Sequence, residues 1–200
     1  LNLEQVVYVG RYSIENLVAC DYVISEFVSD YCGVDVDVPT DLRFDQVMAD
    51  CGAKLARIAV ADCAADLGGL DRGVVPDRIE IIIEGKGRYV SIKESAWSEF
   101  EDHLKSIDSS LIESSLSALA CANDQEIVIS HLRGHLIFGL IRNRAFAAVR
   151  AIKGKSVNID NKSLLMILGD IFWRMGSERS VGLRERLREA KSRAEMSIAA

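Results

Sequence analysis

The chain has 200 residues, of which 49% are apolar and 27% charged, and its net charge is −6. This composition suits one large domain, or one domain with an appendage, that buries a substantial core. No apolar run reaches the roughly 18 residues that a membrane helix needs and no secretory signal opens the chain, so we expect a cytoplasmic protein with no membrane partner.

A short apolar run and a long amphipathic segment open the chain. Residues 6–9 predict a buried strand, Ser13 is a plausible N-cap, and the following helix is predicted to reach about Cys32. Glu15 lies in the first turn, where a carboxylate suits the helix dipole, and Asn16 follows it. Because open α/β sheets bind their ligands at the carboxyl ends of strands, Glu15 is the first candidate for chemistry.

Two aspartates fall near the apolar faces of the first two predicted helices. Asp21 belongs to the first helix, and Asp62 extends the apolar series of the second, which covers residues 42–67. A carboxylate in such a position needs a partner or a wet cleft. Together with Glu15 and Asn16 the aspartates could form a Mg²⁺ site, because Mg²⁺ prefers oxygen ligands. The alternative is a helix-dipole role for Glu15 and salt bridges for both aspartates.

Residues 78–92 predict a β-hairpin. An Ile-rich strand, 78–84, is followed by the turn Glu84-Gly85-Lys86-Gly87 and by a second strand, 88–92. Magnesium-dependent TOPRIM domains also have a catalytic Glu in a Glu-Gly context after a strand, but they need an Asp-x-Asp after a later strand. The only Asp-x-Asp of this chain, Asp35-Val36-Asp37, lies upstream, so the hairpin turn is the favoured interpretation.

The rest of the chain is predicted to be mostly helical, with helical patterns over residues 94–107, 109–121, 134–152 and 161–175. His131 and His135 are four residues apart and could bind a metal on one helix face. However, Gly134 indicates that the helix only begins there, which favours structural or polar roles. Arg133 and His135, near a helix N-terminus, could instead contact phosphate.

A charged last helix is predicted over residues 177–196. It contains Arg184, Arg186 and Arg188, interleaved with acidic residues. Residues 1–130 carry 10 basic and 24 acidic residues, a net charge of −14, whereas residues 131–200 carry 14 basic and 6 acidic residues, a net charge of +8. The basic part could face phosphates or dock a partner protein. The alternatives are a solvated, salt-bridged helix and mutual attraction of the two parts.

Two short motifs resemble a family of bacterial proteins of formerly unknown function with a TOPRIM-like fold, whose best-known members are the AriB-type nuclease subunits of PARIS phage-defence systems. The first motif is Tyr12-Ser13-Ile14-Glu15-Asn16 after a strand, and the second is Arg133-Gly134-His135 at the start of an apolar helix. The similarity spans roughly residues 6–173. It implies an α/β, predominantly helical fold, in which the end of a TOPRIM-like sheet is followed by a helical region with one β-hairpin.

The resemblance also implies a Mg²⁺-dependent nuclease that acts on nucleic acid in antiviral defence with an ABC-type ATPase subunit, and that forms a homo-oligomer. Glu15 is the residue expected in catalysis and metal binding. The remaining metal-binding acids are expected before Leu1. Contacts with nucleic acid or a partner are expected at six positions: Asn16, Arg133, His135, Arg184, Arg186 and Arg188.

We expect two parts in the chain. Residues 1–41 would form the terminal strand and helix of a TOPRIM-like α/β unit, and residues 42–200 the helical region with the hairpin. The alternative function is a non-catalytic interaction module, whose acidic and basic parts dock partner subunits and regulate them.

Reversing the charges of Arg184, Arg186 and Arg188 to Glu separates these roles. If this segment faces phosphates, the variant loses nucleic-acid binding, and the salt dependence of the remaining binding becomes weaker. If it docks a partner, co-purification of the partner is lost while cleavage is kept. Nucleic-acid binding at several salt concentrations and partner co-purification measure the two effects, and no change in either supports a solvated helix.

Overall fold

The computed structural model describes residues 14–69, 74–76, 78–85, 90–119 and 122–174. The predicted strand at residues 6–9, the N-cap Ser13 and the last helix with Arg184, Arg186 and Arg188 lie outside these ranges.

The described part of the chain is predominantly helical, as predicted, with one small antiparallel sheet. Its α-helices are α1 (Asp21–Cys32), α2 (Phe44–Leu67), α3 (Ile79–Ile82), α4 (Glu94–Leu104), α5 (Ser109–Ala118), α6 (Asp124–His131), α7 (Gly134–Lys153) and α8 (Asn161–Arg174). The strands are β1 (Ile83–Glu84) and β2 (Ser91–Ile92), and 3₁₀ helices span Ile14–Val18 and Thr40–Leu42. Among these helices none has both the length and the apolar character needed to cross a membrane.

Two long helices organise the packing. Helix α2 packs against α5 and α6, and helix α7 packs against α1 and α3. One apolar cluster connects them, and its largest fully buried side chains include Phe27 of α1, Phe44 of α2 and Ile137 of α7. This cluster contains residues from both sides of position 41, and the division of the chain there stays a prediction.

The first predicted helix differs from the structure. The helix expected to run without a break to Cys32 is divided into the 3₁₀ helix Ile14–Val18 and α1, which begins only at Asp21. Cys20 between them has an extended backbone, with φ −155° and ψ 152°. Because an extended residue ends one helix and redirects the chain, the two segments can face different neighbours.

Asp21 uses this redirection to cap a neighbouring helix. Its carboxylate oxygens accept hydrogen bonds from the backbone N–H groups of Phe44, at 2.5 Å, and Asp45, at 3.1 Å. These are the first two residues of α2, whose N–H groups have no partner within the helix. The negative charge also suits the positive end of the α2 dipole. The sequence predicts that the Asp21 carboxylate needs a partner. That partner is the N-terminal end of α2 rather than a cation or a metal.

The hairpin is present but shorter than predicted. Strands β1 and β2 pair in antiparallel register, with Ile83 opposite Ile92. The strand predicted over residues 78–84 is wrong for most of its length, because Ile79–Ile82 forms a helical turn, α3. Ile79 and Ile82 are three residues apart, so a helical turn buries both on one face, whereas an extended strand would place them on opposite faces.

Gly139 allows α3 to lie directly on α7. A Cβ added to Gly139 would collide with the Ile79 side chain, at Cγ2 and, at 3.1 Å, at Cβ. The absence of a side chain at this position in α7 therefore fixes how closely the α3–β1 segment approaches the helix.

Replacing Gly139 with Ala should lower the free energy of unfolding by about 1–3 kcal/mol, because overpacking forces α3 away from α7. The matched control is Gly169→Ala in α8, where an added Cβ meets no atom within 4 Å. That variant should gain about 0.5–1 kcal/mol from helix propensity. Urea denaturation followed by circular dichroism measures both values. In an Ile79→Ala background the loss caused by Gly139→Ala should shrink, and an undiminished loss would contradict the contact.

Candidate functional site

Asn16 connects the start of the described chain to the C-terminal end of α6. Its side chain is 1% exposed, and its Nδ2 donates hydrogen bonds to the carbonyl oxygens of Ile129 and Leu132, both at 2.9 Å. Carbonyl groups at the end of a helix lack partners within it, and these two lie at the end of α6. The amide of Asn16 thus caps the C-terminal end of α6. It also fixes the junction between α6 and α7.

A buried ion pair lies at the same junction. Arg133 Nε is 2.8 Å from Asp62 Oδ2, and the two residues are 8% and 3% exposed. Arg133 Nη2 also donates to the carbonyl oxygen of Val75, at 2.5 Å, while Asp62 Oδ1 accepts from the Val74 N–H, at 2.7 Å. Burial raises the pKa of the Asp62 carboxyl, and the Val74 N–H and the Arg133 charge oppose that rise. The salt bridge considered for Asp62 is therefore confirmed.

The structure brings the two sequence motifs together. Asn16 from the first motif bonds to Leu132, the residue directly before Arg133-Gly134-His135. Asn16 and Arg133 are both buried, and their hydrogen bonds within the chain explain their presence without any contact with nucleic acid or a partner. His135 is exposed in the first turn of α7.

Glu15, the residue directly before Asn16, is half-buried. The other carboxylates considered with it are engaged elsewhere, Asp21 with the start of α2 and Asp62 with Arg133. Across the part of the chain that the structure describes, no group of three His, Cys, Asp or Glu side chains could hold a metal ion. The set Glu15, Asn16, Asp21 and Asp62 therefore does not fit a Mg²⁺ site by itself.

His131 and His135 do not share a helix face. His131 ends α6, His135 lies in the first turn of α7, and Leu132 and Arg133 between them have extended backbones. His135 lines a small cleft of about 290 Å³ with Arg142, which bonds to Glu80 and to Asn161. The structural or polar interpretation of the histidine pair agrees with this arrangement.

A cleft with a volume of about 610 Å³ lies between the hairpin and α7. Ile83 and Val90 line the hairpin side, and Leu140 and Arg144 line the α7 side. Arg144 is only 4% exposed, and burial lowers the pKa of its guanidinium. Sequence reasoning missed this residue, although its spacing from Leu140 and Ala148, four residues each way, places it on the apolar face of α7.

Glu84 takes part in the hairpin and not in a metal site. Its carboxylate is exposed and accepts a hydrogen bond from Ser91 Oγ on the paired strand, at 3.1 Å. The hairpin interpretation of Glu84-Gly85 agrees with this contact.

Comparison of the chain with protein-family models, with curated proteins and with solved structures finds no match.

The Asp62–Arg133 pair gives a stability prediction. Asp62→Ala should lower the free energy of unfolding by about 3–5 kcal/mol, because it removes the carboxylate from a buried guanidinium. Asp66→Ala, one helical turn further on and exposed, should change it by about 0.5 kcal/mol or less. Guanidinium chloride denaturation measures both.

The double variant Asp62→Leu/Arg133→Met should recover much of the loss, because no charge is then left buried. Equal stabilities of Asp62→Ala and Asp66→Ala would contradict the pair's role at the junction.

Proposed function

We propose that this chain is the helical part of a TOPRIM-like, Mg²⁺-dependent nuclease that acts on nucleic acid in bacterial antiviral defence together with an ABC-type ATPase. The observation that carries the proposal is the convergence of the two motifs. Asn16 and Leu132 are 116 positions apart, yet they are joined by a buried hydrogen bond of 2.9 Å. Two motifs that resemble one family thus belong to one junction.

The burial of Asn16 also determines on which side of the 3₁₀ helix the Glu15 side chain lies. Side chains of consecutive residues in a 3₁₀ helix diverge by about 120°, since three residues complete a turn. Asn16 points into the core, so Glu15 emerges on a different side, where it is half-buried. A carboxylate at the edge of the core, held by a rigid neighbour, suits a supporting position beside a metal site.

The proposal needs further oxygen ligands from outside the described residues. The resemblance implies that these ligands belong to the TOPRIM-like part of the protein. The described helices then act as the scaffold that holds Glu15, and the metal chemistry belongs to the TOPRIM-like part.

Exposed cations offer a surface for the nucleic-acid backbone. Arg150, Lys153, Lys155 and Lys162 lie at the end of α7, in the following loop and at the start of α8, and all four are exposed. Exposed lysine and arginine side chains along one stretch suit phosphate contacts that do not depend on sequence. This stretch supports a role in positioning the substrate.

Glu15→Gln should reduce Mg²⁺-dependent cleavage about 10- to 100-fold, the usual effect of losing a group that supports a metal site. The protein as its gene encodes it, expressed with the ATPase subunit, is assayed on labelled DNA and on labelled RNA. Glu26→Gln in α1, also half-buried, is the matched control and should keep full activity. Circular dichroism checks that both variants fold.

Full activity of Glu15→Gln would remove Glu15 from the site. Absence of Mg²⁺-dependent cleavage by the unaltered protein, on both substrates, would overturn the nuclease proposal. A protein that still binds the ATPase subunit in that case fits the alternative of a regulatory interaction module.

A further inference from the structure

We propose that residues 35–38 present an open strand edge, which binds an extended, basic peptide segment of a partner protein by strand addition. This segment contains Asp35-Val36-Asp37, the Asp-x-Asp motif of the chain. The inference does not depend on the nuclease proposal, because none of the residues assigned to that function lies in the segment.

The burial pattern of the segment has the two-residue period of a strand. Val36 is half-buried and Val38 is 2% exposed, and both pack on the apolar core, whereas Asp35 and Asp37 are exposed. Successive side chains of an extended chain point to opposite faces, so this alternation indicates an extended backbone. The two valines hold the segment against the core, and its edges therefore have fixed directions.

The protein itself uses one of the two edges. In an extended chain the N–H and C=O groups of one residue point to the same side, and every second residue shares that side. The Val36 N–H donates to Ser29 Oγ, at 3.4 Å, and the Val38 carbonyl oxygen accepts from Arg43 Nε, at 3.1 Å. The edge formed by Val36 and Val38 is therefore turned towards the protein.

The opposite edge is open. Within the described part of the chain, no hydrogen bond involves the N–H or C=O group of Asp35 or Asp37. The open edge ends at Pro39, which has no N–H and whose carbonyl oxygen accepts from the Leu42 N–H, at 2.8 Å. A row of donors and acceptors of this kind is what an added strand pairs with.

The acidic side chains at this edge select a basic neighbour. Side chains directly opposite each other on paired strands lie on the same face, about 5 Å apart. The carboxylates of Asp35 and Asp37 have no ion pair or hydrogen bond within the described residues, so lysine or arginine side chains of a neighbour can pair with them. A second copy of this segment would place acids opposite acids, which is destabilising. The occupant is therefore a basic segment and not a second copy.

The opposite face of the segment determines the remaining positions of the peptide. Between its basic residues, the added strand has side chains on the face of Val36 and Val38, towards the core. Apolar, β-branched side chains suit such a half-buried strand surface. The expected ligand therefore alternates basic and apolar residues.

A capped, fluorescently labelled peptide that alternates lysine and valine is the probe, and fluorescence anisotropy with the purified chain measures its binding. We expect saturable binding. A peptide of the same composition, with its lysines in one block and its valines in another, should bind at least about tenfold more weakly, because only alternation places every lysine on one face. A peptide that alternates glutamate and valine should not bind.

Methylation of the peptide backbone separates strand addition from simple attraction between charges. An added strand turns only every second N–H group towards the edge. Methylation of that set of nitrogens should weaken binding at least about tenfold, since hydrogen bonds are lost, whereas methylation of the other set should leave binding unchanged. The sensitive set is the lysines for an antiparallel neighbour and the valines for a parallel one.

Two double variants locate the binding on the chain. Asp35→Lys/Asp37→Lys should weaken binding at least about tenfold, because like charges then face each other. Glu99→Lys/Glu113→Lys changes the net charge equally, at exposed positions of α4 and α5, and should leave binding unchanged. All these positions are exposed, so both variants are expected to fold, and their circular dichroism spectra check this.

The proposal is overturned if the alternating peptide does not bind up to millimolar concentration, or if the two methylated peptides bind equally well. Unchanged binding by Asp35→Lys/Asp37→Lys would overturn it as well.

Discussion

The buried ion pair between Asp62 and Arg133 is the constraint on which the rest of the structure depends. It connects the second half of α2 and the segment at Val74–Val75 to the start of α7, where Arg133 lies 71 positions after Asp62. Taking two charges out of water costs several kcal/mol for each ion, and the cost is offset only where the remaining polar atoms are also satisfied. Here backbone groups of residues 74 and 75 complete the pair. The two helices must therefore meet in one register, since any slip would leave a charge buried without its partner.

Asn16 acts on the same junction from the other side, so α7 has a fixed origin. From that origin, Gly139 brings α3 onto the helix, and the hairpin follows directly from α3. The cleft between the hairpin and α7 is thus a consequence of the junction, even though it lies further along the helix. A fixed helix start, a close helix contact and a short hairpin together set the walls of this cleft.

The long helix α2 could be predicted from the sequence, whereas the helical turn α3 and the break at Cys20 could not. The helix predicted over residues 42–67 closely matches α2 (Phe44–Leu67). In a helix of two dozen residues the apolar positions recur on one face over many turns, so the helical periodicity is clear. Ile79–Ile82 has too few residues to show a helical periodicity, and its β-branched composition favours a strand. It forms a helical turn because of its packing on Gly139. The break at Cys20 depends on Asp21 finding the start of α2, a contact 23 positions away. The position of Asp62 on an apolar face indicates that its carboxylate needs a partner, but only the folded structure identifies Arg133 as that partner. For Arg144 the sequence offers no indication beyond its place on the apolar face of α7.

Within the first motif, Asn16 has a structural role, whereas Glu15 is a candidate for a functional one. Asn16 is fully accounted for by packing, because each hydrogen of its amide group finds a carbonyl oxygen at the end of α6. A change at Asn16 would disturb the junction and reduce any activity, whatever that activity is. Glu15 differs, since its neighbour provides the anchor and its own carboxylate is left at the edge of the core. Substitution at Glu15 can therefore test chemistry while the fold is held constant, whereas substitution at Asn16 cannot.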